Sequence, residues 1–250
     1  MRNTTLLAAM LTLALALASG EAHAQVPALR DLIPEGSGTA SGRIIQLVAL
    51  MTVLSIAPGI LVTVTCFTRF IIALSFLRSG LGLPSTPSNI VLISLALFMT
   101  FFVMGPTFDR IWGEGVQPLV DNKIDEKEAY QRITQPLREF MQANVREKDM
   151  QVFIEVLRRK SDAAEPQPSV VDMRVLVPAF MVSELRRGFE IGFLIVLPFL
   201  VIDLIVATIV MSMGMMMLPP TAISLPFKIL FFVLIDGWNL MIGGLIRSFG

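Results

Sequence analysis

Charge is scarce in this 250-residue sequence: only 16% of its residues are Asp, Glu, Lys or Arg, against about 25% in an ordinary soluble domain. Hydrophobic side chains make up 54% of the chain and the mean hydropathy is +0.71, a balance suited to a bilayer. The 20 basic and 20 acidic side chains cancel, which removes the bulk electrostatic case for nucleic acid or another polyanion. Cysteine occurs once, at Cys66, so an internal disulfide or a thiolate cluster is excluded. Histidine occurs once, at His23, inside a segment that reads as cleavable. A mature chain without histidine has no Ser–His or Cys–His catalysis, no histidine base and no histidine metal site. Glycine-rich phosphate loops and H-E-x-x-H are missing as well. No enzymatic chemistry and no cofactor or metal is expected.

What is present begins with a secretory signal. Arg2 supplies the positive charge, residues 6–18 form an apolar run of 13, and Ala22-His23-Ala24 is a small-x-small site, which predicts cleavage after Ala24. Thirteen helical residues reach about 20 Å, short of the roughly 30 Å hydrocarbon core, although a retained membrane anchor is the other reading. Residues 25–43 read as a flexible leader on the outer side of the membrane.

Four long apolar segments follow. Residues 44–67 lack any formal charge, and Pro58-Gly59 predicts a kink or break within them. Apolar character resumes at residues 70–77, and residues 78–89 are punctuated by Gly80, Gly82, Pro84 and Pro87. The connection 68–89 carries Arg69 and Arg78 and no acid, which places it in the cytoplasm and agrees with an exported amino terminus. Residues 90–104 form the second segment, closed by Gly105-Pro106. Residues 189–218 are the third, ended by Pro219-Pro220, and residues 225–246 the fourth.

Between the second and third segments the composition changes. Residues 109–187 hold 27 of the 40 charged side chains, 13 basic and 14 acidic, and lie outside the cytoplasm on this topology. Two helical faces are legible there: Leu137, Phe140, Met141 and Val145, then Met150, Phe153, Ile154 and Leu157. Pro166 and Pro168 mark a loop. The domain plan is therefore 1–24 signal peptide, 25–43 leader, 44–108 helical hairpin, 109–187 charged helical region and 188–250 apolar hairpin. The fold class is an all-α membrane protein.

Few residues offer chemistry inside the apolar second half. Glu190, Asp203, Lys228 and Asp236 would each cost at least about 2.5–3.5 kcal/mol facing lipid at the bilayer centre, so they are expected not to face lipid. Lys228 and Asp236 lie about 12 Å apart along one helix, so Asp203 would have to come from a neighbouring helix to pair with either. An ion pair that fixes packing and a proton or ion relay, as in a coupled secondary transporter, both fit these charges. Ser183-Glu184-Leu185-Arg186-Arg187 is either a solvated or headgroup-level cluster or a subunit contact, and Gly188 with Gly192 is a small-xxx-small pair. Five methionines fall among residues 211–217. Core filler accounts for a single Met, but Met215, Met216 and Met217 point around all sides of a helix. Beside Gly214 and Pro219-Pro220 they read as a loop presented into a space, able to form a soft apolar constriction around an axis.

Longer stretches carry a resemblance. FTRFIIALSFLRSGLGLPSTPSN (67–89), GPTFDRIW (105–112), PLREFM (136–141), PAFMVSEL (178–185), IGFLIVLPFLVIDLIVA (191–207), GMMMLPP (214–220) and LPFKILFFVLIDGWNL (225–240) resemble the FliP family of flagellar biosynthetic proteins. The resemblance spans nearly the whole mature chain, and the signal peptide favours the flagellar over the virulence-type branch. It implies a core, pore-forming component of a type III export gate in the bacterial inner membrane at the flagellar basal body, through which unfolded flagellar proteins leave the cytoplasm. It further implies self-association and assembly with FliQ and FliR into a helical multimeric cone, with FlhA and FlhB as neighbours and FliO as assembly factor. Met215, Met216 and Met217 match the family's gasket loop, and Phe140, Phe153 and Glu184 match positions of contact between subunits. Much of the apolar helix surface would then lie against other subunits, and residues 109–187 would be a periplasmic assembly surface.

Overall fold

The computed structural model describes residues 40–160, 172–214 and 219–249. The signal segment with Ala24, the leader up to residue 39, the loop with Pro166 and Pro168, and Met215, Met216 and Met217 lie outside the described residues. Every element among those described is helical. They are α1 (Ala40–Val64), α2 (Phe67–Gly80), α3 (Asn89–Arg110), a π-helical turn (Ile111–Val116), α4 (Gln117–Val120), α5 (Glu126–Asn144), α6 (Glu147–Lys160), α7 (Met173–Ser212), α8 (Pro220–Leu234) and α9 (Gly237–Arg247).

The chain divides into two compact units between Ser55 and Ile56. In the first, the hydroxyls of Thr52 and Ser55 donate back to the Val48 and Met51 carbonyls at 2.7 and 2.8 Å, so these polar groups are satisfied within the helix. The second is organised on α2 and α7. Arg69 meets Glu184, Ile72 meets Gly188, Phe76 meets Gly192 and Gly80 meets Val196, so both numbers rise together and the two helices run parallel. Glycine makes the approach possible. A Cβ at Gly192 would lie 2.6 Å from the Phe76 ring, and one at Gly188 3.1 Å from Ile72 Cβ. The small-xxx-small pair thus serves a contact within the chain.

Around that axis Phe70, Leu74 and Leu77 of α2, Leu92 and Met99 of α3, Phe199 of α7, Phe232 of α8 and Leu245 of α9 form one apolar core. A second cluster joins Val64, Met141, Leu176 and Phe180, with Leu137, Phe140, Val145 and Met150 packed against it. The face Leu137, Phe140, Met141 and Val145 therefore packs here, whereas of the face Met150, Phe153, Ile154 and Leu157 only Met150 joins this cluster and Leu157 is exposed. Side-chain caps begin two of these helices: Asp125 accepts from the Glu128 N–H at 2.7 Å and Asp172 from the Arg174 N–H at 2.9 Å.

Four sequence expectations are corrected. Helix α1 runs on through Pro58, and the break falls at Thr65-Cys66 instead, where Pro58–Val64 and Phe67–Gly80 meet at 84°. There Thr65 Oγ1 donates to the Leu61 carbonyl at 2.6 Å and accepts the Phe67 N–H at 3.3 Å, taking over bonds the helix would have made. Gly105-Pro106 does not close the second segment. α3 passes through it and, with the π-helical turn and α4, runs to Val120, 32 residues in all, with the buried Met104 and the half-buried Phe108 packed on the core either side of Pro106. A proline is tolerated where packing holds the helix on both sides of it. The fourth segment is two helices, bent by 64° at Asp236. Asp236 takes φ +51°, and a Cβ on the following Gly237 would lie 2.3 Å from the Phe232 ring. Finally, residues 68–80 belong to α2, so the connection proper is 81–88. Arg69 is buried against Glu184, and Arg78, in the last turn of α2, reaches across the connection to Asn89 Oδ1.

Asn89–Val120 and Met173–Ser212 are long and apolar enough to cross a membrane, and each bent pair adds one more if it counts as one span. The boundary between the charged region and the last apolar segment, at residue 187, falls inside the continuous α7. Large apolar side chains stay exposed along α3, α7 and α8, among them Phe98, Phe102, Phe193, Leu204, Leu230 and Val233. Such a surface suits lipid or other subunits.

Candidate functional site

The α7–α8 hairpin brings together the Met-rich turn, an apolar groove and a buried ion pair. Helix α7 ends at Ser212 with its last carbonyls taken by Met213 and Gly214, and Gly214 adopts φ +76°. A side chain there would be strained, so glycine sets where the chain leaves the helix. Pro219 and Pro220 start α8, where a missing N–H costs nothing. Met211 and Met213 are exposed, and Met215, Met216 and Met217 fall in the undescribed interval between the legs. Beneath the turn a wholly apolar groove of about 480 Å³ lies between the legs, lined by Ile205, Ile209 and Met213 of the α7 side and Ile223 and Phe227 of α8.

Below the groove, Lys228 Nζ donates to Asp203 Oδ2 at 2.6 Å and to the Gly80 carbonyl at 3.0 Å. Ser224 Oγ donates to Asp203 Oδ1. The pair ties α7 to α8 and both to the end of α2. Asp236, the third charge singled out in the sequence, is not brought to it. It stands at the α8–α9 bend, accepting from Asn239 Nδ2 at 3.1 Å. Asp203 and Lys228 come from neighbouring helices joined by a hairpin, the arrangement the sequence required for Asp203 to pair.

A second ion pair lies at the other end of α2. Arg69 Nε donates to Glu184 Oε2 at 2.8 Å, and Arg69 Nη2 bonds Glu184 Oε1. Arg69 Nη1 donates to the carbonyl and hydroxyl of Ser248, both at 2.9 Å, and the guanidinium carbon stands 3.4 Å over the Phe249 ring. Phe249 stacks on Phe140, whose ring also meets Phe180 edge-on at 5.9 Å. Arg69 was read only as a topological charge. Nothing in sequence spacing pointed to Ser248 and Phe249.

The Ser183–Arg187 cluster divides. Ser183 and Glu184 are buried, while Leu185 and Arg186 face outward. The Glu184 carboxylate is engaged inside the chain. Phe140 is half-buried in the aromatic stack, and Phe153 lies half-buried on α6 beside the exposed Val152 and Val156. On the α5 side Arg110 Nη1 donates to Glu139 Oε2 at 2.6 Å, and this bond, then that from Gln135, holds the Glu139 carboxyl below its ordinary range. Among the described residues no cluster of three His, Cys, Asp or Glu could hold a metal ion.

The two ion pairs tie helices together, and the apolar groove opens between the legs of the α7–α8 hairpin. The sequence profile of the FliP family matches residues 50–245. The chain is 65% identical to the flagellar biosynthetic protein FliP of Agrobacterium fabrum over 212 residues, 85% of this chain and 86% of that protein. It is 59% identical to FliP of Rhizobium meliloti over 249 residues, 100% and 99% of the two chains. With FliP of Bacillus subtilis it shares 52% over 205 residues, 82% of this chain and 91% of that one.

Proposed function

The chain belongs to the FliP family, and on that premise we propose that it is a core, pore-forming subunit of the flagellar type III protein export gate. The match along residues 50–245 carries this reading. Its role is passage and assembly, not catalysis: unfolded flagellar proteins would cross the inner membrane through a helical cone built from copies of this chain with FliQ and FliR. FlhA and FlhB would stand beside it, and FliO would assist assembly. In the domain plan, residues 1–24 direct export and are removed after Ala24, residues 25–43 lead, and residues 109–187 stand on the periplasmic side. The hairpins 44–108 and 188–250 line and support the pore.

Met215, Met216 and Met217 would form the gasket. Support comes from the turn geometry at Gly214 and Pro219 and from the apolar groove under it, which lets flexible thioether side chains repack around a passing chain. Phe140 and Phe153 would pack between subunits. Glu184 would act there through α7, fixing the turn that presents Val182, Leu185 and Arg186. Ion-coupled solute transport is the weaker reading, because Lys228 and Asp203 are closed on each other, Ser224 and Gly80, and Asp236 stands apart.

The test is complementation. Expressed in Agrobacterium fabrum lacking its own FliP, the chain should restore swimming and export of filament subunits. A membrane-inserted chain that restores neither would overturn the proposal. Replacing Met215, Met216 and Met217 with alanine should keep the complex together and make membranes leak ions; tight membranes around an assembled complex would refute the gasket.

A further inference from the structure

The sequence holds two tryptophans, Trp112 and Trp238, and both are left open to the surroundings, at 62% and 40% exposure. They stand at opposite ends of α3. Trp112 lies in the π-helical turn that prolongs α3, just beyond the exposed Asp109 and Arg110 that end its apolar run. Trp238 stands in the first turn of α9 and lines, with Pro87 and Leu92, a pocket of about 230 Å³ at the start of α3. Its ring is seated edge-on against Phe232 at 5.4 Å. From Leu92 to Trp112 is 20 residues of helix, about 30 Å.

Between those limits residues 90–108 carry no charge, a run of 19 residues or about 28 Å. The hydrocarbon core of a bilayer is roughly 30 Å thick. Val91, Phe98, Phe101, Phe102 and Trp112 are all exposed, and they fall within about 100° of one another around the helix, on the side away from the buried Ala96. An indole suits the boundary of such a surface, because its ring body is apolar and its N–H seeks a polar partner at headgroup level. We propose that this face of α3 is a lipid-contacting surface, with acyl chains against Phe98 and Phe102 and with Trp112 and Trp238 holding it at the two headgroup levels. A neighbouring subunit would cover the phenylalanines as well, but would give no reason for an uncharged run one hydrocarbon thickness long with a tryptophan at each limit. Lipid contact rests on membrane insertion of the proposed subunit and not on passage of protein through it, so it can hold where complementation fails.

The test places the full-length chain in vesicles of dibromo-phosphatidylcholine, with the bromines either near the headgroup end or near the methyl end of one acyl chain. Trp112→Phe and Trp238→Phe each leave one indole to report. In both variants the shallow bromines should quench its fluorescence at least about twofold more strongly than the deep ones. Adding Phe98→Trp to a chain that carries both replacements puts the only indole midway along the uncharged run. There the order should reverse, the deep bromines quenching about twofold more strongly. Phe102→Trp, one turn further on, gives the same reading if that variant does not fold. An inserted Phe98→Trp chain that neither lipid quenches overturns the proposal and assigns the face to a protein neighbour. Equal quenching by both lipids in the two single replacements also overturns it, since the tryptophans would then mark no fixed depth.

Discussion

The two ion pairs at opposite ends of α2 are built differently. Arg69 and Glu184 have side chains at 0% exposure, bonded in two places, with Ser248 and Phe249 closing over the guanidinium. Lys228 and Asp203 stand at 5% and 27%, bonded once to each other, below an open apolar groove that leads to the Met-rich turn. A charge pair fully out of water holds only while both partners are present, because either one alone is a buried, uncompensated charge. A pair with partial access to its surroundings tolerates loss of a partner better. The Arg69 end therefore acts as the fixed point of the bundle, and the Lys228 end as the place where the hairpin legs can adjust while staying tied.

That contrast can be broken from either side. Glu184→Gln should have the largest effect, about 3–5 kcal/mol of lost stability, read as a lower melting temperature in detergent and poor recovery from membranes. Retention of the parent melting temperature would show that the Arg69 end is no anchor. Lys228→Met should cost less, on the order of 1.5–3 kcal/mol, the range for hydrogen bonds to a charged group. A double-mutant cycle with Asp203→Asn sharpens the point: coupling there should be clearly smaller than in an Arg69–Glu184 cycle.

Between the two pairs, Gly192→Ala probes the helix contact that connects them. The new methyl would meet the Phe76 ring at 2.6 Å, so a loss of about 1–3 kcal/mol is expected, and Gly188→Ala, facing Ile72 at 3.1 Å, should lose less. The reverse order would mean that Phe76 swings away freely. The smallest effect belongs to the exposed Arg110–Glu139 bond. Arg110 lowers the Glu139 pKa in the folded chain, so the stabilisation is present above the ordinary glutamate value of 4.5 and is lost as pH falls below it. Glu139→Gln should leave melting at neutral pH nearly unchanged and flatten that acid-side decline; an unaltered decline would assign it to other carboxylates.

Residue by residue, what could be read from the chain followed how local each feature is. The packed face of α5 was legible because period 3.6 places Leu137, Met141 and the following Val145 together whatever the partner. The joint between α7 and α8 was legible because Pro219-Pro220 cannot continue a helix. Helix breaks were read less well. Pro58 and Pro106 were expected to interrupt, yet the helices run through both, at Pro106 with packing on either side, while the hydroxyl of Thr65 and the left-handed Asp236 made the bends. Arg69 misled for a related reason: as a lone arginine between apolar runs it looks like a topological charge, and only its partner 115 residues away changes its meaning.

Composition and pattern alone determined that this is an apolar, helical chain of the kind a membrane holds, and its longer motifs determined its family. These properties are sums over residues or short-range repeats, so no coordinates are needed to obtain them. The tertiary structure alone decided which charges meet. Arg69 with Glu184 and Ser248, and Lys228 with Asp203 and Gly80, depend on contacts between helices far apart in sequence. A buried charge is stable only beside its partner, and which partner is nearest is a property of packing, not of order along the chain.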